Sequence, residues 1–257
     1  MLQARLGLKW DGSEVTHDFQ KNPHVLIAGE TGSGKSVMMH TIILTAVLPD
    51  AEAGMVLIDP KMVEFSMYRN NSHLWCPVAR GTEESLRTLQ AVLSEVQRRY
   101  AVMEKRGIRK TTERPLYVFI DELADLMYAS RKETERLISR IAALGRACNV
   151  HLIVATQTPR AAVVSGMIKA NLGTKIVLAT ASALDSRVIM DENGAEMLEG
   201  CGDAIYKNGL EKFRFQGYYV SDEQIEKEAR MTARLTWHEK LIAAFCGIKE
   251  VERIREM

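Results

Sequence analysis

The residues best equipped for chemistry stand in one octet, Gly29, Glu30, Thr31, Gly32, Ser33, Gly34, Lys35 and Ser36, followed by Val37. Glycines let the backbone curl so that successive N–H groups point at one spot, the lysine brings an ammonium there, and the serine hydroxyl can ligate Mg²⁺. Such a loop cradles the phosphates of a nucleotide, with ATP and Mg²⁺ the expected pair. The reading requires a strand before the octet and a helix after it. Residues 24–28 (HVLIA) form an apolar strand-like run, and residues 37–47 form an apolar run that suits a helix. A glycine-rich turn without phosphate is the competing reading, and it leaves this coincidence of strand, octet and helix unexplained.

A second pair, Asp121 and Glu122, closes the apolar run LYVFI that begins at residue 116. Strand ends are where an open α/β sheet gathers its ligands. Asp121 is placed to hold the Mg²⁺ shell through water, and Glu122 to polarise the attacking water as a general base. The next apolar run, 151–156, ends before Gln157, a candidate sensor of the γ-phosphate. Standing alone, each of these would be an ordinary polar residue at a strand end.

Elements must exist to hold these groups together. Short runs rich in Val and Ile at 24–28, 55–59, 116–121, 151–156 and 175–179 alternate with amphipathic stretches, the rhythm of an α/β fold with a largely parallel sheet. Residues 83–105 carry Leu86, Leu89, Val92, Leu93, Val96, Tyr100 and Met103 at helical spacing, and 132–148 carry Leu137, Ile138, Ile141 and Leu144. An N-terminal hairpin is predicted at 8–19 around Asp11, Gly12 and Ser13, and an antiparallel pair at 203–206 and 213–220. Residues 106–115, with Arg106, Arg109, Lys110 and Arg114, read as an exposed basic loop. The parse is one domain over 1–221 and a charged helical tail over 222–257, with Leu235, Ile242, Phe245, Ile248, Val251 and Ile254 as its apolar residues and a break at Gly247.

The whole chain of 257 residues carries a formal charge of +1, so any contact with nucleic acid must come from a local basic patch that acids elsewhere cancel. Its four cysteines, Cys76, Cys148, Cys201 and Cys246, form no CxxC and no cluster with histidine. That spacing argues against a structural metal and against a disulfide framework. No stretch reaches the ~20 apolar residues of a membrane span. A cytoplasmic protein is expected, with any membrane anchor lying on a partner or in a further segment.

Taken in order, residues 29–36, 58–68 (IDPKMVEFSMY), 119–127 (FIDELADLM), 146–157 (RACNVHLIVATQ), 168–171 (IKAN), 185–187 (DSR) and 194–196 (GAE) resemble the motor domain of the FtsK/SpoIIIE double-stranded DNA translocases. The similarity runs from about Leu8 to about Val220. It implies a RecA-like P-loop ATPase that assembles as a homo-hexameric ring around duplex DNA and pumps it by ATP hydrolysis. Lys35, Ser36, Asp121, Glu122 and Gln157 match the family's nucleotide site. Arg146 stands where the family supplies an arginine to the neighbouring subunit, with a helix-capping role as the rival reading and Arg140 as the second choice. Arg160, Lys169 and Arg187 match regions that contact DNA, although Thr158, Pro159 and Arg160 follow the ATQ run where the family usually has Arg-Pro, and Ala183 replaces a common polar residue. The tail is too short and too charged to be the family's small winged-helix sequence reader. Chromosome segregation and conjugative transfer are the settings implied. The rival readings are an FtsK-like ATPase that drives protein secretion and a ring subunit that holds ATP only as a structural ligand.

Overall fold

The computed structural model describes residues 2–231. Ten strands form one sheet: β1 (Gln3–Leu8), β2 (Glu14–Asp18), β3 (His24–Ala28), β4 (Gly54–Asp59), β5 (Ala79–Arg80), β6 (Leu116–Ile120), β7 (Val150–Thr156), β8 (Thr174–Leu178), β9 (Asp203–Asn208) and β10 (Glu211–Gly217). Their spatial order is β2-β1-β10-β9-β8-β3-β7-β6-β4-β5. From β8 to β5 every neighbouring pair is parallel, and from β9 to β2 every pair is antiparallel. The chain therefore has the α/β architecture read from its sequence, with a mostly parallel central sheet flanked by helices.

The apolar runs are continuous because the central strands are covered on both faces. Alternate residues go to opposite sides: Leu26, Val56, Val118 and Val154 face one core, while Val25, Leu57, Phe119 and Ile153 face the other. The first core is closed by α2 (Gly81–Arg106) and α3 (Leu123–Cys148), and by the shorter α4 (Gly166–Asn171) and α5 (Ala183–Met190). The second is closed by α1 (Lys35–Ile42), the hairpin and α6 (Asp222–Met231). Glu83 and Glu84 in the first turn of α2, and Lys105 and Arg106 in its last, suit the helix dipole, and Gly107 at φ 64° ends it.

Several boundaries differ from the sequence reading. The hairpin begins at Gln3 rather than Leu8, because Ala4 and Leu6 alternate into the core and extend the first strand. The predicted helix at 132–148 starts instead at Leu123 and is interrupted at Ser130, whose φ of −156° is not helical. Thr134 bridges that break by donating its hydroxyl to the carbonyl of Leu126 at 3.1 Å. After α1 the chain continues as a π-helical turn, Ile43–Val47. The start of the expected tail packs on the domain: Ile225 and Ala229 of α6 are buried, and Asn71 donates to the carbonyl of Ala229 at 3.1 Å. The tail's predicted apolar positions from Leu235 onward and the break at Gly247 lie outside the described residues.

Histidines fasten the layers in neutral form. His24 on β3 gives its Nε2 proton to the carbonyl of Ala142 on α3 (3.0 Å), and its Nδ1 accepts the Leu152 N–H of β7 (3.1 Å). A protonated ring would lose the second bond. Burial lowers His17, His24 and His40 from 6.5 to about 4, and His151 to about 3. Since these folded-state values lie below those of the unfolded chain, the unfolded chain binds more protons through this window. Their stabilising contribution is complete above pH 6.5 and is lost as pH falls toward 4. The thermal midpoint should therefore drop continuously between pH 6.5 and pH 4.5. A midpoint independent of pH over that range would contradict the buried, neutral assignment.

Candidate nucleotide site

β3 is buried throughout and delivers the glycine-rich loop to the carboxyl-end edge of the sheet, between β7 and β8. Gly32 (φ 81°) and Gly34 (φ 102°) take the left-handed conformations that turn the loop into α1. Gly34 has a second reason to be glycine, since a Cβ there would lie 2.8 Å from the amide nitrogen of Gly202. The loop is tied down by its neighbours: Glu30 N–H donates to Ala179 O (2.9 Å) and Gly202 N–H donates to Ser33 O (2.8 Å). No side chain caps the first turn of α1, so its N–H groups remain available to an anion.

Lys35 and Asp121 form the centre of the site. Lys35 Nζ lies 2.8 Å from Asp121 Oδ1 and donates to the Asp121 carbonyl at 3.0 Å. Each residue is 3% exposed. The sequence reading gives Asp121 to the Mg²⁺ shell; in the structure its carboxylate is the partner of the buried ammonium, which at that depth requires a counter-charge. Glu122 caps α3, accepting the Ala124 N–H at 3.0 Å, and it also accepts the hydroxyl of Thr156 (2.7 Å) and the N–H of Gln157 (2.9 Å). Gln157 in turn accepts the Thr31 hydroxyl on Oε1 at 3.1 Å. The structure thus brings together residues 29–37, Asp121, Glu122 and Gln157 at the tips of three adjacent parallel strands.

Two further carboxylates stand here that the sequence reading does not single out. Asp59 ends β4 as Asp121 follows β6; it is 1% exposed, its Oδ2 accepts the Phe65 N–H at 3.0 Å, and its Oδ1 is buried with no hydrogen-bond partner. Glu64 is raised above the usual carboxylate range, first by burial, with the Ser36 hydroxyl acting against the rise and Asp121 and Asp59 adding to it. The signal is present in the IDPKMVEF run, a second apolar strand ending in an acid. Among the described residues no three His, Cys, Asp or Glu side chains could hold a metal by themselves. That donor set fits Mg²⁺, which takes one or two carboxylates and completes its octahedron with water and phosphate oxygens. Ser33 Oγ in the phosphate loop and Asp59 Oδ1 at the end of β4 are among the buried side-chain atoms without a hydrogen-bond partner.

The predicted cations lie elsewhere. α3 starts at the site and returns across the sheet, so Arg146, in its last turn four residues before β7 begins, stands at the opposite edge. Arg146 and Arg140 are exposed. Lys169 on α4 pairs with Asp191 (2.6 Å), and Arg187 on α5 donates to Asn193 Oδ1 (2.9 Å), so both are gathered on the turn at 191–194. Arg160 is apart from them, exposed beyond the tip of β7.

A profile of the FtsK/SpoIIIE family matches residues 1–114 and 109–161. The DNA translocase FtsK of Treponema pallidum (strain Nichols) is 41% identical over 86% of this chain and 30% of its own length. DNA translocase SftA of Bacillus subtilis (strain 168) is 43% identical over 88% of this chain and 26% of its own. The chain thus spans about a third or less of the curated relatives it matches. Among solved structures, the pCW3 conjugation coupling protein TcpA with ATPγS superposes with a TM-score of 0.80 at 26% identity, covering 90% of this chain and 70% of that one. The type VII secretion ATPase EccC of Thermomonospora curvata shares the fold, with a TM-score of 0.78 at 24% identity over 91% of this chain and 31% of its own.

Deleting one partner of a buried ion pair costs ~3–5 kcal/mol because the other charge is left uncompensated. Lys35→Ala should accordingly lower the urea-unfolding free energy by an amount of that order, and Asp121→Asn in the same chain should restore much of it. A Lys35→Ala protein as stable as the parent would show that the pair is not formed in solution.

Proposed function

The chain belongs to the FtsK/SpoIIIE family, and on that premise we propose that it is an ATP-hydrolysing motor that moves double-stranded DNA through a homo-hexameric ring, with residues 1–221 as the motor. The observation that carries the reading is the division of the site. The phosphate loop, Asp121 and Glu122 sit at one edge of the sheet, while the exposed Arg146 sits at the other. One chain cannot bring its own Arg146 to its own phosphates, whereas a second copy can.

In this reading the N–H groups at the start of α1 and the ammonium of Lys35 bind the phosphates, and a phosphate entering the loop competes with Asp121 for Lys35. Ser36 and Asp121, with Asp59 and Glu64 close by, would hold Mg²⁺, which supplies charge neutralisation at the β- and γ-phosphates. Glu122 accepts a proton from the attacking water, Gln157 senses the γ-phosphate, and Arg146 of the adjacent copy meets the charge that develops as the bond breaks. Arg160 at the β7 tip, with Lys169 and Arg187, would meet the DNA backbone, and phosphate contacts of this kind are indifferent to sequence. Lys169 and Arg187 already hold acid and amide partners, so a phosphate must displace Asp191 and Asn193 to engage them. Duplex DNA is favoured over a polypeptide because identity to the DNA translocases reaches 43%, while the secretion ATPase shares the fold at 24%. No helix among the described residues is long and apolar enough to cross a membrane. A cytoplasmic setting is proposed, with any membrane contact made through a partner or a further segment.

Glu122→Gln should bind ATP and hydrolyse it ~10² to 10⁴ more slowly, the usual contribution of a general base. Arg146→Ala should leave nucleotide binding intact and cost ~10³ to 10⁵ in turnover of the assembled ring, as arginine fingers do elsewhere. Mixing the two variants should regain activity, because an intact Arg146 on one then meets an intact Glu122 on the other. Absence of complementation, with Arg146→Ala fully active, would reduce Arg146 to a helix cap and direct the test to Arg140.

A further inference from the structure

Glu122 is 2% exposed and its carboxylate is held from three sides. Oε1 accepts from Thr156 Oγ1 and from Ala124 N–H, and Oε2 accepts from Gln157 N–H. A carboxylate offers about four acceptor positions. Three are thus occupied by the protein, and two of the three donors come from the tip of β7.

The direction of the Thr156 hydroxyl follows from distance. Its oxygen is 2.7 Å from Glu122 Oε1 and 3.4 Å from the Thr158 carbonyl, so its single proton goes to the glutamate. The same oxygen accepts the Thr158 N–H at 3.1 Å. Onward from there, Arg160 N–H donates to the Thr158 carbonyl at 2.8 Å, and the Arg160 side chain lies exposed. Backward, Gln157 is joined to the phosphate loop through Thr31. One short segment therefore touches the base, the phosphate loop and an exposed cation.

We infer that Thr156 is a positioning residue that latches Glu122 to the tip of β7, so that hydrolysis is conditional on a shift of residues 157–160. The latch rests on the proposed role of Glu122 as the base of the ATPase. While the latch is closed, three of the carboxylate's acceptor positions are filled by donors and its two oxygens are held from turning toward an attacking water. A shift of 157–160 withdraws the Gln157 N–H from Oε2 and the Thr158 N–H from the Thr156 hydroxyl. Oε2 is then without its donor, and the carboxylate, once it also leaves the Thr156 hydroxyl, can turn to take the water proton as the water oxygen attacks phosphorus and the bond to the leaving ADP breaks. If the same contacts instead held Glu122 in its working pose, removing them would slow the reaction, so the two arrangements predict effects of opposite sign.

The test is the ATPase rate of the full chain, with and without duplex DNA, for Thr156→Val, Thr156→Ser and Glu122→Gln, alongside ATP binding and thermal melting. Thr156→Val keeps the shape and lacks the hydroxyl. Its rate without DNA should rise about tenfold, the factor that one hydrogen bond to a charged group is worth, and stimulation by DNA should shrink by the same factor. Thr156→Ser should behave as the parent, and ATP affinity should be unchanged in both. If Thr156→Val does not fold, Thr156→Ala carries the same readouts. A DNA-free rate that falls, with the stimulation factor preserved, overturns the latch and makes Thr156 a support for the working pose. Full turnover by Glu122→Gln overturns the base assignment itself, a separate failure seen in a separate variant. The DNA-free rate of Thr156→Val decides the latch whatever polymer the ring carries.

Discussion

A buried ammonium cannot stand alone, and the site is arranged around that constraint. Lys35 at the start of α1 and Asp121 at the end of β6 neutralise one another at 2.8 Å, with almost no access to water. Their contact fixes the glycine-rich loop against a strand two places away in the sheet, across β7. It also sets the terms of binding. In the proposed motor, a phosphate entering the loop competes with Asp121 for the ammonium of Lys35. In that reading, binding of a nucleotide and of its cation would be linked through one pair of charges.

The sheet supplies the rest of the precision. Because β3, β4, β6 and β7 run parallel, their carboxyl ends lie along one edge, and Asp59, Asp121, Glu122 and Gln157 are presented side by side. Ile120 pairs with Val154, so two residues further on Glu122 comes level with Thr156. α3 links the two edges. Its first residues follow Glu122 and its last turn carries Arg146, so the two stand at opposite edges of the sheet. Close packing holds that geometry: at Gly145 a Cβ would lie 2.6 Å from the Val150 carbonyl oxygen and 3.0 Å from the His24 ring.

How much of the molecule is legible in its sequence depends on where the information resides. The phosphate loop, Asp121 and Glu122 are legible because residue types at fixed spacing carry their chemistry, and the central strands are legible because burial on two faces leaves unbroken apolar runs. The first turns of α3 escape because DELAD offers acids where a core face is sought, and Ser130 interrupts the period. Thr156 is invisible for another reason. A threonine closing a Val- and Ile-rich run reads as an ordinary strand former, and its bond to Glu122 exists only once the register of β6 against β7 is known. Likewise Lys169 and Arg187 are legible as cations but not as partners of Asp191 and Asn193, since that turn is brought to them by the fold. Glu64 and Asp59 lie within a motif of the family, yet their approach to Ser36 and Asp121 depends on the bend after β4.

The most direct test of a motor completed between chains is the ATPase rate per chain, measured against duplex DNA at a series of protein and salt concentrations. The rate should climb above a threshold protein concentration, since in the proposed motor each site takes an arginine from its neighbour. Stimulation by duplex of any sequence should decline steeply with salt as counterion release becomes less favourable. A rate per chain that is independent of protein concentration and unaffected by duplex at low salt would contradict both expectations, placing the complete site within one chain and the cargo elsewhere.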